Sequence, residues 1–269
     1  MPPSPSPVKR SADSPAPCPF VWYDLITTDC AGAQGFYAHV LGWTFQAFPG
    51  NPEYAVASAG NRGVGGIMPI PAAARDRGAP ACWQGYIGVP DVDIYSRRVD
   101  AGGGRVIQAP QDIPGVGRFA VAADPQGAVF ILFTAQGAGT PSHDVALLPG
   151  TVGWHELHAG EGRQALDWYS DQFGWSETGA IELGPMGSYR LFATGGNQPV
   201  GGMMTHVPGG PGPFWAYYFT VAALDAALER VRTGGGTVHQ GPLEVPGPMF
   251  IANCQDPQGA WFSLVAQCR

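Results

Sequence analysis

The sequence predicts an α+β protein made of two tandem copies of one domain, each copy holding two units of strand, helix and three strands. Three observations carry this. The stretch Trp154 to Trp175 repeats Trp22 to Trp43 without a gap, at a displacement of 132 positions, keeping Trp, Leu, Ala, Tyr, Gly and Trp in register. The same offset links Trp83 to Trp215, Gly102–Gly104 to Gly234–Gly236, and Asp124-Pro125-Gln126-Gly127 to Asp256-Pro257-Gln258-Gly259. Within the first copy, Tyr54-Ala-Val-Ala and Phe119-Ala-Val-Ala mark a shorter inner repeat. One register held this long is the mark of duplication, so function is sought in what each copy places at matched positions.

Met1 to Pro19 is rich in Pro and Ser, lacks apolar content and reads as a disordered tail, residues 1–19. Phe20 to Thr27 is aromatic and β-branched, the composition of a strand. Asp29 is placed to cap a helix in which Phe36, Tyr37, Val40 and Leu41 recur at helical spacing until Gly42 ends it. Strands follow at Trp43–Phe48, Tyr54–Ala59 and near Val64–Ile70. After the Ala-rich connector Pro71–Pro80 the pattern restarts with a strand at Trp83–Val89, a helix at Asp91–Val99 and three more strands ending at Phe133. The first domain therefore covers 20–135, a small and polar linker 136–149, and the second domain 150–269, with its own connector at Pro208–Pro213. The Gly triplets follow helices, whereas a phosphate cradle precedes one, so they read as helix exits needing positive φ.

Composition narrows the function. Lys and Arg number 14 against 21 Asp and Glu, with no basic stripe, which argues against nucleic acid and anionic membranes as partners. No apolar run reaches the roughly 20 residues of a membrane helix. Five scattered cysteines, with no signal peptide, suggest a reduced, cytoplasmic protein. The expected partner is a small-molecule ligand, and duplication within one chain allows a monomer or a homodimer.

The acid-Leu pair after each opening Trp, Phe36-Tyr37 with Leu41-Gly42-Trp43, Gly65-Gly66-Ile67-Met68 with Gly201-Gly202-Met203-Met204, and the Asp-Pro-Gln-Gly hairpin together resemble the glyoxalase/bleomycin-resistance/dioxygenase (vicinal oxygen chelate) superfamily, in its two-domain actinobacterial form. The resemblance spans Phe20 to Val265. It implies that each pair of βαβββ modules curls into a half-open β-cup with the helices outside. It also implies that family metal ligands would fall on Trp22 and Trp154, near Gln84 and Ala216, near Gly66 or Ile67 and Gly202 or Met203, and on Ile131 and Ser263. Among these only Gln84 is suited to a cation, so no metal and no other cofactor is expected.

Alternation along the opening strands then assigns faces. Trp154, Glu156 and His158 share one face, as do Trp22, Asp24 and Ile26. His155 and His158 are an odd number apart and fall on opposite faces, which argues against a chelating pair. Glu156, assisted by His158, and Asp24 are the catalytic candidates, because a carboxylate walled by Trp should have a raised pKa and act as a base near neutrality. The alternative is an acid merely satisfied by backbone N–H groups or a nearby Tyr. Tyr86 and Tyr218 occupy matched places on the facing strand, within reach of a ligand or of the two acids. Trp22, Trp154, Met203, Phe250 and Trp261 are expected as ligand-contacting walls, Ser263 at the cup floor, and His206 at its mouth.

Two functions fit this pattern. One is metal-independent proton transfer on a small oxygenated or aromatic metabolite, of isomerase, lyase or cyclase type, in secondary metabolism or detoxification. The other is sequestration of a drug or metabolite without chemistry, as in the bleomycin-resistance branch.

Overall fold

The computed structural model describes residues 15–137, 147–206 and 212–269. The first copy runs β1 (Phe20–Thr27), α1 (Cys30–Leu41), β2 (Thr44–Phe48), β3 (Asn51–Ala59), β4 (Arg62–Pro69), α2 (Ala72–Arg75), β5 (Cys82–Gly88), α3 (Val92–Ala101), β6 (Arg105–Ile113), β7 (Gly117–Ala123) and β8 (Val129–Ala135). The second runs β9 (Val152–Ala159), α4 (Gly162–Phe173), β10 (Ser176–Glu182), β11 (Ser188–Ala193), β12 (Gly201–Thr205), β13 (Phe214–Thr220), α5 (Leu224–Thr233), β14 (Thr237–Val245), β15 (Met249–Gln255) and β16 (Trp261–Ala266). Each copy forms one eight-stranded sheet, ordered β2-β3-β4-β1-β5-β8-β7-β6 and β10-β11-β12-β9-β13-β16-β15-β14. The opening strands of the two modules, β1 with β5 and β9 with β13, pair antiparallel at the centre, which sets their cup-facing side chains side by side.

Local chemistry explains the helix limits. Asp29 accepts a hydrogen bond from the Gly32 N–H at 3.0 Å, and Glu161 accepts from Arg163 and Gln164, so both acids are N-caps. Gly42 and Gly174 close the helices at φ of 72° and 67°. Gly103 and Gly235, inside the triplets, have φ of 83° and 85°, the backbone role expected of them.

The helices cover the sheet face opposite each cup, and the two copies meet through that face. Tyr23, Leu25 and Tyr37 join Leu157, Tyr169 and Trp215 in a single core. The contacts obey an approximate two-fold symmetry. Tyr37 donates to Asp256 Oδ2 (3.1 Å) and Tyr169 to Asp124 Oδ2 (3.2 Å), while Trp83 donates to Tyr37 and Trp215 to Tyr169. Trp43 donates to the Gly150 carbonyl and Trp175 to that of Cys18. The repeated Tyr, Trp and Asp-Pro-Gln-Gly residues are therefore the adhesive between copies.

His155 lies at the centre of this symmetry, facing its own counterpart. Its Nε2 is 2.6 Å from the Tyr23 hydroxyl, its Nδ1 is 2.8 Å from the Val200 carbonyl, and its ring stacks on Phe20 at 4.4 Å. It points away from the cup, as the alternation requires. Of the segment expected as a tail, residues 1–14 lie outside the described residues. Residues 15–19 are anchored: Cys18 is buried, its N–H donates to Phe173, and Pro19 accepts from Gly88. Most of the linker (138–146) and of the second connector (207–211) also lies outside the described residues.

Candidate functional site

In the first cup, Asp24 projects from the middle of β1 and is 2% exposed. Its Oδ1 accepts from Tyr54 (2.6 Å) and from the Trp22 indole (3.0 Å), and its Oδ2 accepts from Tyr86. Trp22 also donates to the Tyr54 hydroxyl. Burial pushes this carboxyl above the usual aspartate range, against the pull of the Tyr54, Tyr86 and Trp22 donors. Around it lie Val21, Tyr86 and Ile131, with Trp22, Phe119, Val121 and Phe133 packed against them. Asp24 thus has an apolar cluster on one side and Gln84 directly opposite on β5, with its oxygens held by three donors.

The second cup repeats the bracket and adds to it. Glu156 Oε1 accepts from Tyr218 (3.0 Å), Oε2 accepts from Tyr189 (2.8 Å), and Trp154 donates to the Tyr189 hydroxyl (2.7 Å). His158 Nε2 stands 2.8 Å from Glu156 Oε1. Its ring stacks on Phe214 at 4.6 Å, and its side chain is 26% exposed against 12% for Glu156, so it is the member that faces the opening. At the matched position the first copy has Ile26.

The two acids differ electrostatically. Burial is the largest single influence on Glu156 and pushes it up. The hydrogen bond and attraction of His158, helped by Tyr189 and Tyr218, outweigh it and hold the carboxyl below the ordinary glutamate value. The expectation of a raised pKa is met at Asp24 and corrected at Glu156, where a neighbouring imidazole reverses the sign.

Several walls sit elsewhere than expected. Met203 pairs in register with Leu157 and is fully buried in the shared core; Met204, paired with His158, takes the cup side. Phe250, three residues from Asn253 on β15, packs against the shared core as well, because an odd separation turns it away. Trp261 does lie on the cup side of β16 with Ser263, but at the rim, 47% exposed and stacked on His239 at 4.2 Å. His206 follows β12 and donates its N–H to Ala159; residues 207–211 beyond it are outside the described residues. Tyr86 and Tyr218 bond the two acids.

Tyr54 and Tyr189 are the site residues that sequence reasoning missed. They reach the acids from β3 and β11, over Gly66 and Gly202, where a Cβ would meet the tyrosine at 2.0 and 2.2 Å. The signal available was the Gly-Gly pair, which leaves room for an aromatic ring on the neighbouring strand.

The donor set does not fit a metal centre. The positions implied as ligands hold Trp22 and Trp154, Ala216, and Ile131 with Ser263, and Gln84 has only Asp24 opposite it, whose oxygens already accept from Tyr54, Trp22 and Tyr86. Among the described residues, no group of three or more His, Cys, Asp or Glu side chains is placed to hold an ion.

Comparison with known proteins agrees with this architecture. The profile of the Glyoxalase/Bleomycin resistance protein/Dioxygenase superfamily matches residues 20–132 and 151–264. The chain is 34% identical over 250 residues to "Putative glyoxylase CFP32" of Mycobacterium bovis, covering 91% of this chain and 93% of the relative. It is 33% identical over 266 residues to "Anthracycline biosynthesis protein DnrV" of Streptomyces peucetius, covering 93% and 94%. Among solved structures, the Mn(II)-bound glyoxalase from Novosphingobium aromaticivorans superposes with a TM-score of 0.64 at 16% identity, covering 95% of this chain and 83% of that one. A homoprotocatechuate 2,3-dioxygenase from Brevibacterium fuscum superposes with a TM-score of 0.66 at 15% identity, covering 96% and 85%. At those identities the structural likeness speaks to the fold alone.

Proposed function

From the premise that the chain belongs to the Glyoxalase/Bleomycin resistance protein/Dioxygenase superfamily, we propose that its second cup binds a small oxygenated aromatic metabolite and moves a proton on it without a metal. The observation that carries this reading is the Glu156–His158 contact of 2.8 Å in a cup whose duplicate has only Asp24 and Ile26. Both Glu156 oxygens are engaged by tyrosines, so the carboxylate serves best as the group that orients His158. With Nε2 directed at Glu156, Nδ1 is the ring nitrogen of His158 left for a ligand. There it takes a proton from an acidic C–H or O–H beside a ligand carbonyl and returns it to a neighbouring atom, giving isomerisation, elimination or ring closure. A relative named for anthracycline biosynthesis supports an oxygenated aromatic ligand in secondary metabolism.

Sequestration without chemistry is the second reading, favoured by the apolar cluster beside Asp24 in the first cup and by the exposed Trp261 at the rim of the second. Deuterium incorporation separates the two. The protein, incubated in D2O with enolisable aromatic ketones, is expected to exchange the acidic C–H of those it binds. His158→Ile and Glu156→Gln should each slow exchange by about 10²–10⁴-fold, the usual contribution of a general base, and a chelator should change nothing. Exchange undiminished in both variants, or strictly dependent on added metal, overturns the proposal; stoichiometric binding with no exchange favours sequestration.

A further inference from the structure

We infer that the second cup recognises an elongated, flat, oxygen-rich ligand lying across the strands, with its reacting end at Glu156–His158 and its distal end against Asn253, Gln240 and the rim ring of Trp261. This deepens the proton-transfer reading and rests on it for the reacting end only.

The argument begins with one row of directly paired residues. Trp154 is opposite Tyr218, Tyr218 opposite Ser263, Ser263 opposite Asn253, and Asn253 opposite Gln240, so five strands contribute one side chain each to a line across the sheet. The line is joined by hydrogen bonds from Ser263 Oγ to Asn253 (2.8 Å) and from Asn253 to Gln240 (3.2 Å). Exposure grows outward from Tyr218: Tyr218 and Ser263 are buried, Asn253 is half-buried and Gln240 is exposed. At about 4.8 Å per strand, Trp154 and Asn253 stand roughly 14 Å apart before curvature. A single ring covers little more than one strand spacing. A fused polycycle is needed to touch both ends.

The first copy is an internal control. Its equivalent row is Trp22, Tyr86, Ile131, Val121 and Gln108, paired in the same order. The sheet therefore forms equally well with two apolar residues where the second copy has Ser263 and Asn253. The Ser263 hydroxyl, 4% exposed, is kept tolerable by its bond to Asn253, and nothing about folding requires the polar pair here. The same replacement extends outward: Trp261 and His239 stand at the matched places of Val129 and Ile107. All of these exchanges lie in the copy that has His158, and they convert an apolar wall into a line of donors and acceptors with an aromatic stacking plane beside its outer end. That set of groups suits oxygens spaced along a planar skeleton.

The test uses 1,8-dihydroxyanthraquinone as the long probe and catechol as the short one, titrated by calorimetry against the full chain. The long probe should bind with one equivalent per chain. Ser263→Ile with Asn253→Val, which installs the first copy's residues, should weaken it about tenfold or more while changing catechol affinity less than about twofold, since two hydrogen-bonding groups are lost at one end only. If that double variant does not fold, Asn253→Ala alone should show the same selectivity. Unchanged binding of the long probe in a folded variant, equal weakening of both probes, or no saturable binding of the long probe overturns the inference. Affinity and exchange fail separately. Loss of exchange in His158→Ile with no effect of the row variants sinks this inference alone; the reverse pattern sinks the proton-transfer reading alone.

Discussion

Replacing His158 by Ile, the residue at the matched place in the first copy, isolates what the imidazole does for Glu156. In the native chain its Nε2 is 2.8 Å from a carboxylate whose side chain is 12% exposed. A hydrogen bond to a charged, largely buried group contributes about 1.5–3 kcal/mol net. The variant should therefore be less stable near pH 7 by about 2 kcal/mol, or roughly 4–8 °C in Tm at the 2–4 °C per kcal/mol usual for chains approaching this size. The pH dependence gives the sharper signature. The folded pKa of Glu156 is lowered, so its stabilisation is present above the ordinary value of 4.5 and is lost as pH falls through the folded value. Without His158, burial is opposed only by the Tyr189 and Tyr218 hydrogen bonds, so the carboxyl moves up from its native position. The gap between native and variant should accordingly be widest near neutrality and close as pH drops below about 4.5. Urea unfolding followed by circular dichroism at several pH values measures it. A variant as stable as the native chain at pH 7, or a gap that stays constant into acid, would refute the reasoning.

Asp24→Asn should show the opposite slope. The folded pKa of Asp24 is raised above 3.8, so native stability from this group is present at low pH and lost as pH rises through the folded value, and the variant should gain on the native chain over that window in the same unfolding series. Tyr189→Phe strips a donor from Glu156 and the acceptor of the Trp154 indole, and should cost about 1–3 kcal/mol of unfolding free energy in a urea titration. Gly202→Ala places a Cβ at 2.2 Å from the Tyr189 ring, which must swing away; a loss of about 1–3 kcal/mol and weaker binding of 1,8-dihydroxyanthraquinone are expected, with calorimetry and thermal unfolding as the checks. Tyr37→Phe and Tyr169→Phe should destabilise to similar extents, since each leaves a buried Asp of the other copy and a buried indole of its own copy short of a partner; clearly unequal losses in thermal unfolding would argue against the two-fold symmetry.

Duplication, the order of the strands and longer helices, and the helix limits were legible in the amino-acid sequence, the short α2 inside the Pro71–Pro80 connector excepted, because they follow from local chemistry: Asp29 and Glu161 cap, Gly42 and Gly174 terminate, and period-two alternation puts Trp154, Glu156 and His158 on one face. The same alternation kept His155 out of the cup. Three things were decided only by tertiary structure. Tyr54 and Tyr189 reach the acids from a neighbouring hairpin, and Tyr189 stands 135 positions after Tyr54 rather than 132, so the repeat that exposed the other pairs concealed this one. The faces taken by Met203 and Phe250 depended on register against β9 and β16, since a strand's own sequence shows which side chains share a face but not which face is the cup. The sign of the Glu156 shift also had to come from three dimensions. It is the outcome of burial opposed by a 2.8 Å imidazole contact, and which of the two prevails is set by distances, which no linear pattern carries.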